Sequence, residues 1–339
     1  MGSSSSPYLM TLLPLLLISV SVFTPQVIGC YSSIFSFGDS ITDTGNLYIS
    51  SHNRSFHFFF PPYGETYFHR PTGRCSDGRL IIDFIAEFLG LPHVRPYLEL
   101  KSNLSAQNLD GGVNFAVIGA TALDVAFLAA MGDHNEYTNS SLGTQLECFK
   151  EILPSLCNTS SDCNKLLSSS LILVGEIGGN DYNNPLRAGK SIELLVQTYV
   201  PLVIKVISST IKELIDLGAV TLLVPGNFPI GCLPIYLTKF QTSDETNYYN
   251  AMMHFYHSPY QYGFMGGTTK ACCGGGGPYN YNSSAQCGSL KATACENPAQ
   301  FINWDGMHLT EAAYSWIAKA LLKGKYTIPS ISTLCVSEV

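Results

Sequence analysis

The feature that most constrains the fold is a series of short apolar runs, each of which ends at or just before a glycine or a proline. They predict β-strands at 33–37, 113–119, 171–177 and 219–225. These runs are almost continuously apolar, without an alternation of polar and apolar residues. Such strands are typical of a parallel sheet that is buried on both faces.

Longer segments with helical periodicity separate these runs. They predict helices at 79–90, at 192–218 with a bend at Pro201, and at 310–324 with Thr310 as the N-terminal cap. Alternation of strands and helices is typical of an α/β domain. Because hydrophobic residues make up 46% of the chain and charged residues 13%, there is enough apolar material for one large core. We predict a single domain over residues 30–339.

The N-terminus differs from the rest of the chain. Residues 8–23 are almost wholly apolar, and this run is shorter than the roughly 20 residues that cross a membrane. We interpret residues 1–29 as a signal peptide. An uncleaved membrane anchor is the alternative. We expect no stable membrane span elsewhere in the chain.

Two further features favour the secretory pathway and thus delivery to the extracellular space, the cell wall or the vacuole. Five N-x-S/T sequons predict glycosylation at Asn53, Asn103, Asn139, Asn158 and Asn282. The chain also has 11 cysteines, a number that fits an oxidising compartment. The net charge of −7, with no basic run, argues against a nucleic-acid partner.

The spacing of the cysteines indicates disulfides. Cys157 and Cys163 flank one sequon, and we predict that they form a local disulfide. Four more lie in a glycine-rich stretch, at Cys272, Cys273, Cys287 and Cys295. Zinc is the competing interpretation for these four, but they contain no C-x-x-C pair.

Ser40 and His308 are candidates for a nucleophile and its base. Ser40 follows the first predicted strand in Gly-Asp-Ser, and His308 lies in an Asp-Gly-Met-His segment whose Asp305 can orient the imidazole. A serine hydroxyl becomes nucleophilic when such a base takes its proton. Each motif alone is also compatible with an ordinary turn at a helix start.

Two other strand ends carry groups that could stabilise an oxyanion. Asn180 lies in Gly-Gly-Asn-Asp after the predicted strand 171–177, and Gly119 ends the predicted strand 113–119. An amide side chain and a backbone N–H are typical oxyanion donors. A glycine turn without a catalytic role is the alternative for both. Because sites form at the carboxyl edge of open parallel sheets, we expect these groups to meet there.

The four segments together resemble the signature blocks of SGNH hydrolases, in the order of that family. They are FSFGDSITDTGN (35–46), NFAVIGATA (114–122), GGND (178–181) and DGMHLT (305–310). The segments PPYGETYF (61–68) and TGRCSDGRLIIDFIAEFLGLP (72–92) resemble plant GDSL esterases and lipases in particular, most of all acetylesterases and sinapine esterases. The resemblance covers nearly all of the chain after the signal peptide.

The resemblance implies a flavodoxin-like three-layer α/β/α sandwich and a secreted carboxylic-ester hydrolase. Ser40 would be the nucleophile, His308 the base and Asp305 its partner. The N–H groups of Ser40 and Gly119, with the Asn180 side chain, would form the oxyanion hole. It implies no metal and no organic cofactor, a small-molecule ester as substrate, and a monomer.

The chain departs at one place from the plant esterases and lipases that it resembles. They carry a further helix and an edge strand where residues 241–253 run on directly, which indicates an internal deletion near 246–248. A cysteine lost with that segment, or an additional one at Cys148, would explain the odd count. The deletion leaves a second hypothesis open, a non-catalytic or unstable isoform that binds an ester or a carbohydrate.

Overall fold

The computed structural model describes residues 30–51, 55–101, 111–240, 255–323, 326–327 and 331. The predicted signal peptide, the sequons at Asn53 and Asn103, and the predicted deletion point lie outside these residues.

The core of the fold is a five-stranded parallel sheet in the order β2-β3-β1-β4-β5. The strands are β1 Ser33–Phe37, β2 Arg95–Pro96, β3 Gly111–Asn114, β4 Ser170–Val174 and β5 Thr221–Leu223. In the central register, Phe35 pairs with Val113 on one side and with Ile172 on the other. Apart from the two-residue β2, the strands have the spatial order of a flavodoxin-like sheet. The predicted α/β fold is therefore confirmed.

Helices cover both faces of this sheet. They are α1 Asn46–Ser50, α2 Ile81–Phe88, α3 Tyr97–Leu100, α4 Val125–Ala130, α5 Leu142–Leu156, α6 Ser160–Ser168, α7 Gly179–Arg187, α8 Ile192–Asp216, α9 Pro234–Phe240 and α10 Glu311–Leu322. Successive strand residues point to opposite faces. Phe35 and Phe37 accordingly pack in the layer of α5 and α8, whereas Ile34 packs in the layer of α2 and α10.

Three predicted strands extend further in the sequence pattern than in the structure, and the one predicted at 219–225 is confined to Thr221–Leu223. The strand predicted at 113–119 ends at Asn114, and the N–H of Ala116 bonds to the side-chain oxygen of Asn114 at 3.0 Å. The strand predicted at 171–177 ends at Val174. The residues beyond both ends form the loops that carry the candidate oxyanion donors.

The strand predicted at 219–225 was expected to be buried, and this is wrong for its ends. Val220 is 69% exposed and Val224 is 42% exposed. Among the described residues, no strand pairs with the outer side of β5. The resemblance to plant GDSL esterases predicts that an edge strand is missing from the chain, and the open edge of β5 agrees with that prediction.

We expected no membrane span after the N-terminal segment. By length and composition alone, however, helix α8 could cross a membrane. It has 25 residues and a mean hydropathy of 1.6 in its most apolar window. One face nevertheless packs on the sheet through Tyr199, Val203 and Leu214. The predicted bend takes the form of a π turn at Leu195–Tyr199, shortly before Pro201.

Disulfides organise the irregular stretch after α9. Cys272 bonds to Cys295 and Cys273 bonds to Cys287, so these four cysteines are not zinc ligands. The predicted disulfide between Cys157 and Cys163 is also present. Cys148 is a half-buried free thiol.

Candidate active site

Ser40 lies in a tight turn directly after β1. Gly38, which begins the turn, has a φ of +149°, and a Cβ there would lie 3.0 Å from the carbonyl oxygen of Glu176. The Gln145 amide of α5 accepts from the Gly38 N–H and donates to the Gly38 carbonyl, both at 2.8 Å. The turn that presents the hydroxyl is therefore fixed from two sides.

His308 lies against this hydroxyl. Its Nε2 is 2.9 Å from Oγ of Ser40, and its Nδ1 is 2.8 Å from Oδ2 of Asp305. The other carboxylate oxygen of Asp305 accepts from the N–H groups of Met307 and His308, at 3.0 and 2.8 Å. A loop of four residues thus holds both the imidazole and the carboxylate that faces it.

The electrostatics of this pair favour the ion pair of imidazolium and carboxylate. Burial alone would raise the pKa of Asp305, but the adjacent His308 and its hydrogen bonds hold that pKa well below the usual range. Burial alone would lower the pKa of His308, yet the Asp305 carboxylate raises it well above 6.5. Proton uptake by His308 is therefore favourable in this site.

Tyr63 is a member of this arrangement that the sequence reasoning missed. Its hydroxyl donates to Oδ2 of Asp305 at 2.6 Å, and its side chain is 1% exposed. The ring packs edge-on against Trp304, with centroids 5.8 Å apart. Burial, followed by the nearby Asp305 charge, raises the pKa of Tyr63 well above 10, so the phenol keeps its proton. A tyrosine in an apolar segment signals only that its hydroxyl needs some partner.

The three predicted oxyanion donors line one cavity together with His308. Gly119 adopts a φ of +80°, and Asn180 lies in the first turn of α7. Among the described residues, the N–H groups of Ser40 and Gly119 have no protein acceptor. Both groups are therefore available to a ligand, although their role in a reaction stays a prediction.

The Asn180 amide is held in a fixed plane. Its Nδ2 donates to the carbonyl oxygen of Ala120 at 3.0 Å and to Oδ2 of Asp39 at 3.2 Å. Burial, above all, raises the pKa of Asp39 to about 7. The longer bond, to Asp39, is the one that the amide could give up for a ligand.

Two buried carboxylates join the loops that carry these groups. Asp43 accepts from the N–H of Ile118 at 2.8 Å and also from Gly45, Asn46 and Leu47. Asp181 accepts from two N–H groups in the loop after Gly119, Ala122 and Leu123, at 2.7 and 2.9 Å. Asp43 in the first signature block and Asp181 in the third thus each connect their own block to the second.

The cavity beside Ser40 has a volume of about 50 Å³. The cavity is partly open to solvent, so a ligand can extend beyond the enclosed volume. The side chains around it that are not part of the predicted machinery are mostly aromatic or apolar, with three polar exceptions. They are Phe58, Ile118, Tyr137, Ile235, Tyr281 and Met307, with His57, Arg187 and Gln286.

The remaining candidate residues have simpler places. Cys75 is a buried free thiol whose side chain contacts His308. The sequon residues Asn139, Asn158 and Asn282 are exposed. In the part of the chain that is described, no group of histidine, cysteine or acidic side chains could hold a metal ion.

A parallel sheet with a serine, a histidine and an aspartate in contact at its carboxyl edge defines the class of serine hydrolases. The sequence profile described as GDSL-like Lipase/Acylhydrolase matches residues 34–321. The chain belongs to this family and is an ester-hydrolysing enzyme of the plant GDSL esterase/lipase type.

Several relatives from Arabidopsis thaliana bear this out. GDSL esterase/lipase At1g28610 is 47% identical, over 90% of this chain and 90% of the relative. GDSL esterase/lipase At1g28580 is 46% identical, over 100% of this chain and 97% of the relative. The second alignment runs over 385 positions although the chain has 339 residues, so it contains gaps opposite segments of the relative.

Proposed function

We propose that the protein is a secreted carboxylic-ester hydrolase that acts through a Ser-His-Asp mechanism. The observation that carries this is the continuous contact from Oγ of Ser40 to Nε2 of His308 at 2.9 Å, and from Nδ1 to Asp305 at 2.8 Å. His308 takes the Ser40 proton while Oγ attacks the ester carbonyl. Asp305 holds the tautomer and stabilises the imidazolium.

In the proposed reaction, the oxyanion binds between the N–H groups of Ser40 and Gly119 and the amide of Asn180. In this step, one N–H of the Asn180 amide donates to the developing negative charge instead of to Asp39, from which Nδ2 is 3.2 Å away. The new hydrogen bond is charge-assisted. Placing donors where charge develops is the largest contribution in many such enzymes.

The proposed cycle closes in two steps. His308 returns the proton to the leaving alkoxide, which departs as an alcohol and leaves an acyl group on Ser40. Water then attacks this acyl-enzyme, with His308 again as the base, and releases the carboxylic acid. Phe58 and Ile118 form apolar walls of the cavity in which these steps take place.

Secretion is proposed on three observations. The leader has the length of a signal peptide, three sequon asparagines are exposed, and three disulfides are present in the described residues. Disulfides of this kind persist in oxidising compartments. Expression in plant cells, followed by N-terminal sequencing and endoglycosidase treatment of the exported protein, tests both the cleavage and the glycans.

The test of the activity is labelling with a fluorophosphonate, which reacts with an activated serine. We expect one adduct per molecule, located on Ser40 by peptide mass analysis, and none in Ser40→Ala. Well-folded protein that takes no label would refute the proposal. That result would favour the non-catalytic isoform, which the exposed edge of β5 keeps as the second candidate.

A further inference from the structure

Arg187 lines the same small cavity as Ser40. It is the last residue of α7, whose first turn carries Asn180. Seven residues of helix place the two Cα atoms about 10 Å apart along the axis. The helix that provides a predicted oxyanion donor thus also provides a cation further along the cavity.

This arginine differs from others in the protein in its partners. Arg74, Arg79 and Arg95 each pair with a carboxylate. Arg187, which is half-buried, donates to the neutral side chain of Asn184, and among the described residues no carboxylate pairs with it. A guanidinium without a carboxylate partner can bind a ligand carboxylate through two parallel N–H donors.

The surroundings of Arg187 show what kind of anion would fit. Its guanidinium lies 5.9 Å from the centre of the Tyr137 ring, and Tyr281 lines the same cavity. The other basic groups there are His57, whose pKa is lowered chiefly by burial, and His308, which already faces the Asp305 carboxylate. Arg187 is therefore the cation of this cavity that has no carboxylate partner among the described residues. A flat group ending in a carboxylate could contact both rings and receive two N–H donors from the guanidinium.

We infer that the enzyme prefers esters whose alcohol part is aromatic and carries a carboxylate, which Arg187 binds. This inference rests on the proposed function, since it concerns substrates of the same site. The aromatic ring follows from Tyr137 and Tyr281, which line the cavity together with Ser40. The carboxylate follows from the guanidinium of Arg187, which has no carboxylate partner among the described residues.

The test compares two esters of the same shape, 4-acetoxybenzoate and 4-acetoxybenzamide, which differ by one negative charge. We expect the wild-type protein to hydrolyse the benzoate with the higher kcat/KM. Arg187→Gln should lower that value by about 10- to 100-fold, as the loss of a charged hydrogen bond does, and leave the benzamide within about threefold. Arg187→Lys should retain part of the preference, because it keeps the charge but not the paired donors.

Lys205→Gln is the matched control, since it removes an exposed positive charge on α8 away from the cavity. It should change neither ester. If Arg187→Gln affects both esters equally, or if the wild type shows no preference, the inference is overturned. Retained fluorophosphonate labelling with that result would leave the proposed function standing.

A binding measurement keeps the two hypotheses separate. In Ser40→Ala protein, calorimetry should show that 4-hydroxybenzoate binds more tightly than 4-hydroxybenzamide, and that Arg187→Gln removes the difference. Equal binding of the two would contradict the inference whether or not the enzyme is active. A difference that survives Arg187→Gln would assign the anion to another group.

Discussion

The hydroxyl of Tyr63 donates to Oδ2 of Asp305 at 2.6 Å, and Nδ1 of His308 lies 2.8 Å from that same oxygen. One carboxylate oxygen therefore faces two donors, both buried. The phenol shares the negative charge that would otherwise act on the imidazole alone. Tyr63 is a positioning residue in this arrangement, because it reaches the reacting atoms only through Asp305 and His308.

Removing that phenol should change the pH dependence as well as the rate. In Tyr63→Phe, Asp305 loses a donor, so its charge acts more fully on His308 and raises the pKa of the imidazole further. We expect the acid limb of kcat/KM to move to higher pH and the rate at neutral pH to fall about tenfold. Tyr260→Phe, at a tyrosine that is 77% exposed, is the control. A uniform loss with an unmoved limb would indicate a purely structural role.

Ser40→Ala should abolish hydrolysis and leave the fold intact. The hydroxyl is the only group that the substitution removes, and loss of the nucleophile in such a site lowers kcat by about 10⁴ or more. Turnover of an acetyl ester and the melting temperature are the measurements, with Ser168→Ala, at an exposed position on α6, as the comparison. Wild-type turnover in purified Ser40→Ala would rule out this nucleophile.

Asn180→Ala should lower kcat by about 10²- to 10³-fold, the usual effect of removing an oxyanion donor. KM should change little, because the contact forms mainly in the transition state. Asn183→Ala on the same helix removes an amide that contacts Tyr236, and it should keep most of kcat. Steady-state kinetics distinguish the two. An unchanged kcat in Asn180→Ala would leave Asn180 as a turn residue only.

The rate should fall as the pH drops through the pKa of His308, since only the neutral imidazole accepts a proton. The Asp305 carboxylate raises that pKa well above 6.5, so the plateau should lie on the alkaline side. In Asp305→Asn the raising charge is gone, and the acid limb should move to lower pH while the plateau falls by about 10⁴. Profiles of kcat/KM measure both. An acid limb that stays in place would exclude His308 as the titrating base.

Restoring the segment predicted to be missing should act on stability and not on catalysis. Insertion of a relative's segment between Thr246 and Tyr248 would cover the exposed outer side of β5. We expect a higher yield and a higher melting temperature, with an unchanged pH midpoint. Thermal unfolding and active-site titration of both proteins are the measurements. If the shorter protein is equally stable and titrates fully, the deletion is a tolerated variation.

The sequence predicts best what is local. The pattern of apolar runs predicts the four main strands, and the Asp-x-x-His spacing predicts the contact of Asp305 with His308, because three residues of chain determine it. The predicted strands extend too far toward the C-terminus. In the strand predicted at 113–119, for example, apolar residues continue to 118, whereas the observed strand ends at Asn114. Periodicity carries no information about a local contact such as the hydrogen bond from the Ala116 N–H to the Asn114 side chain.

The missed residues act over long separations. Tyr63 is 242 positions from Asp305, and Gln145 is 107 positions from Gly38. Nothing in the neighbourhood of either residue indicates its partner, because the contact exists only after the layers have packed. The half-buried state of Arg187, and the absence of a carboxylate partner for it in the described part of the chain, follow likewise from the packing of α7.

The clamp of Gln145 on Gly38 has a mechanical consequence. Through it the nucleophile is attached to the helical layer of α5, whereas His308 immediately precedes α10 in the opposite layer. The distance between Oγ and Nε2 therefore depends on how both helical layers pack against the sheet. Core substitutions that thicken or thin either layer by a few tenths of an ångström should reach the reacting atoms directly, and lose turnover while the protein is still folded.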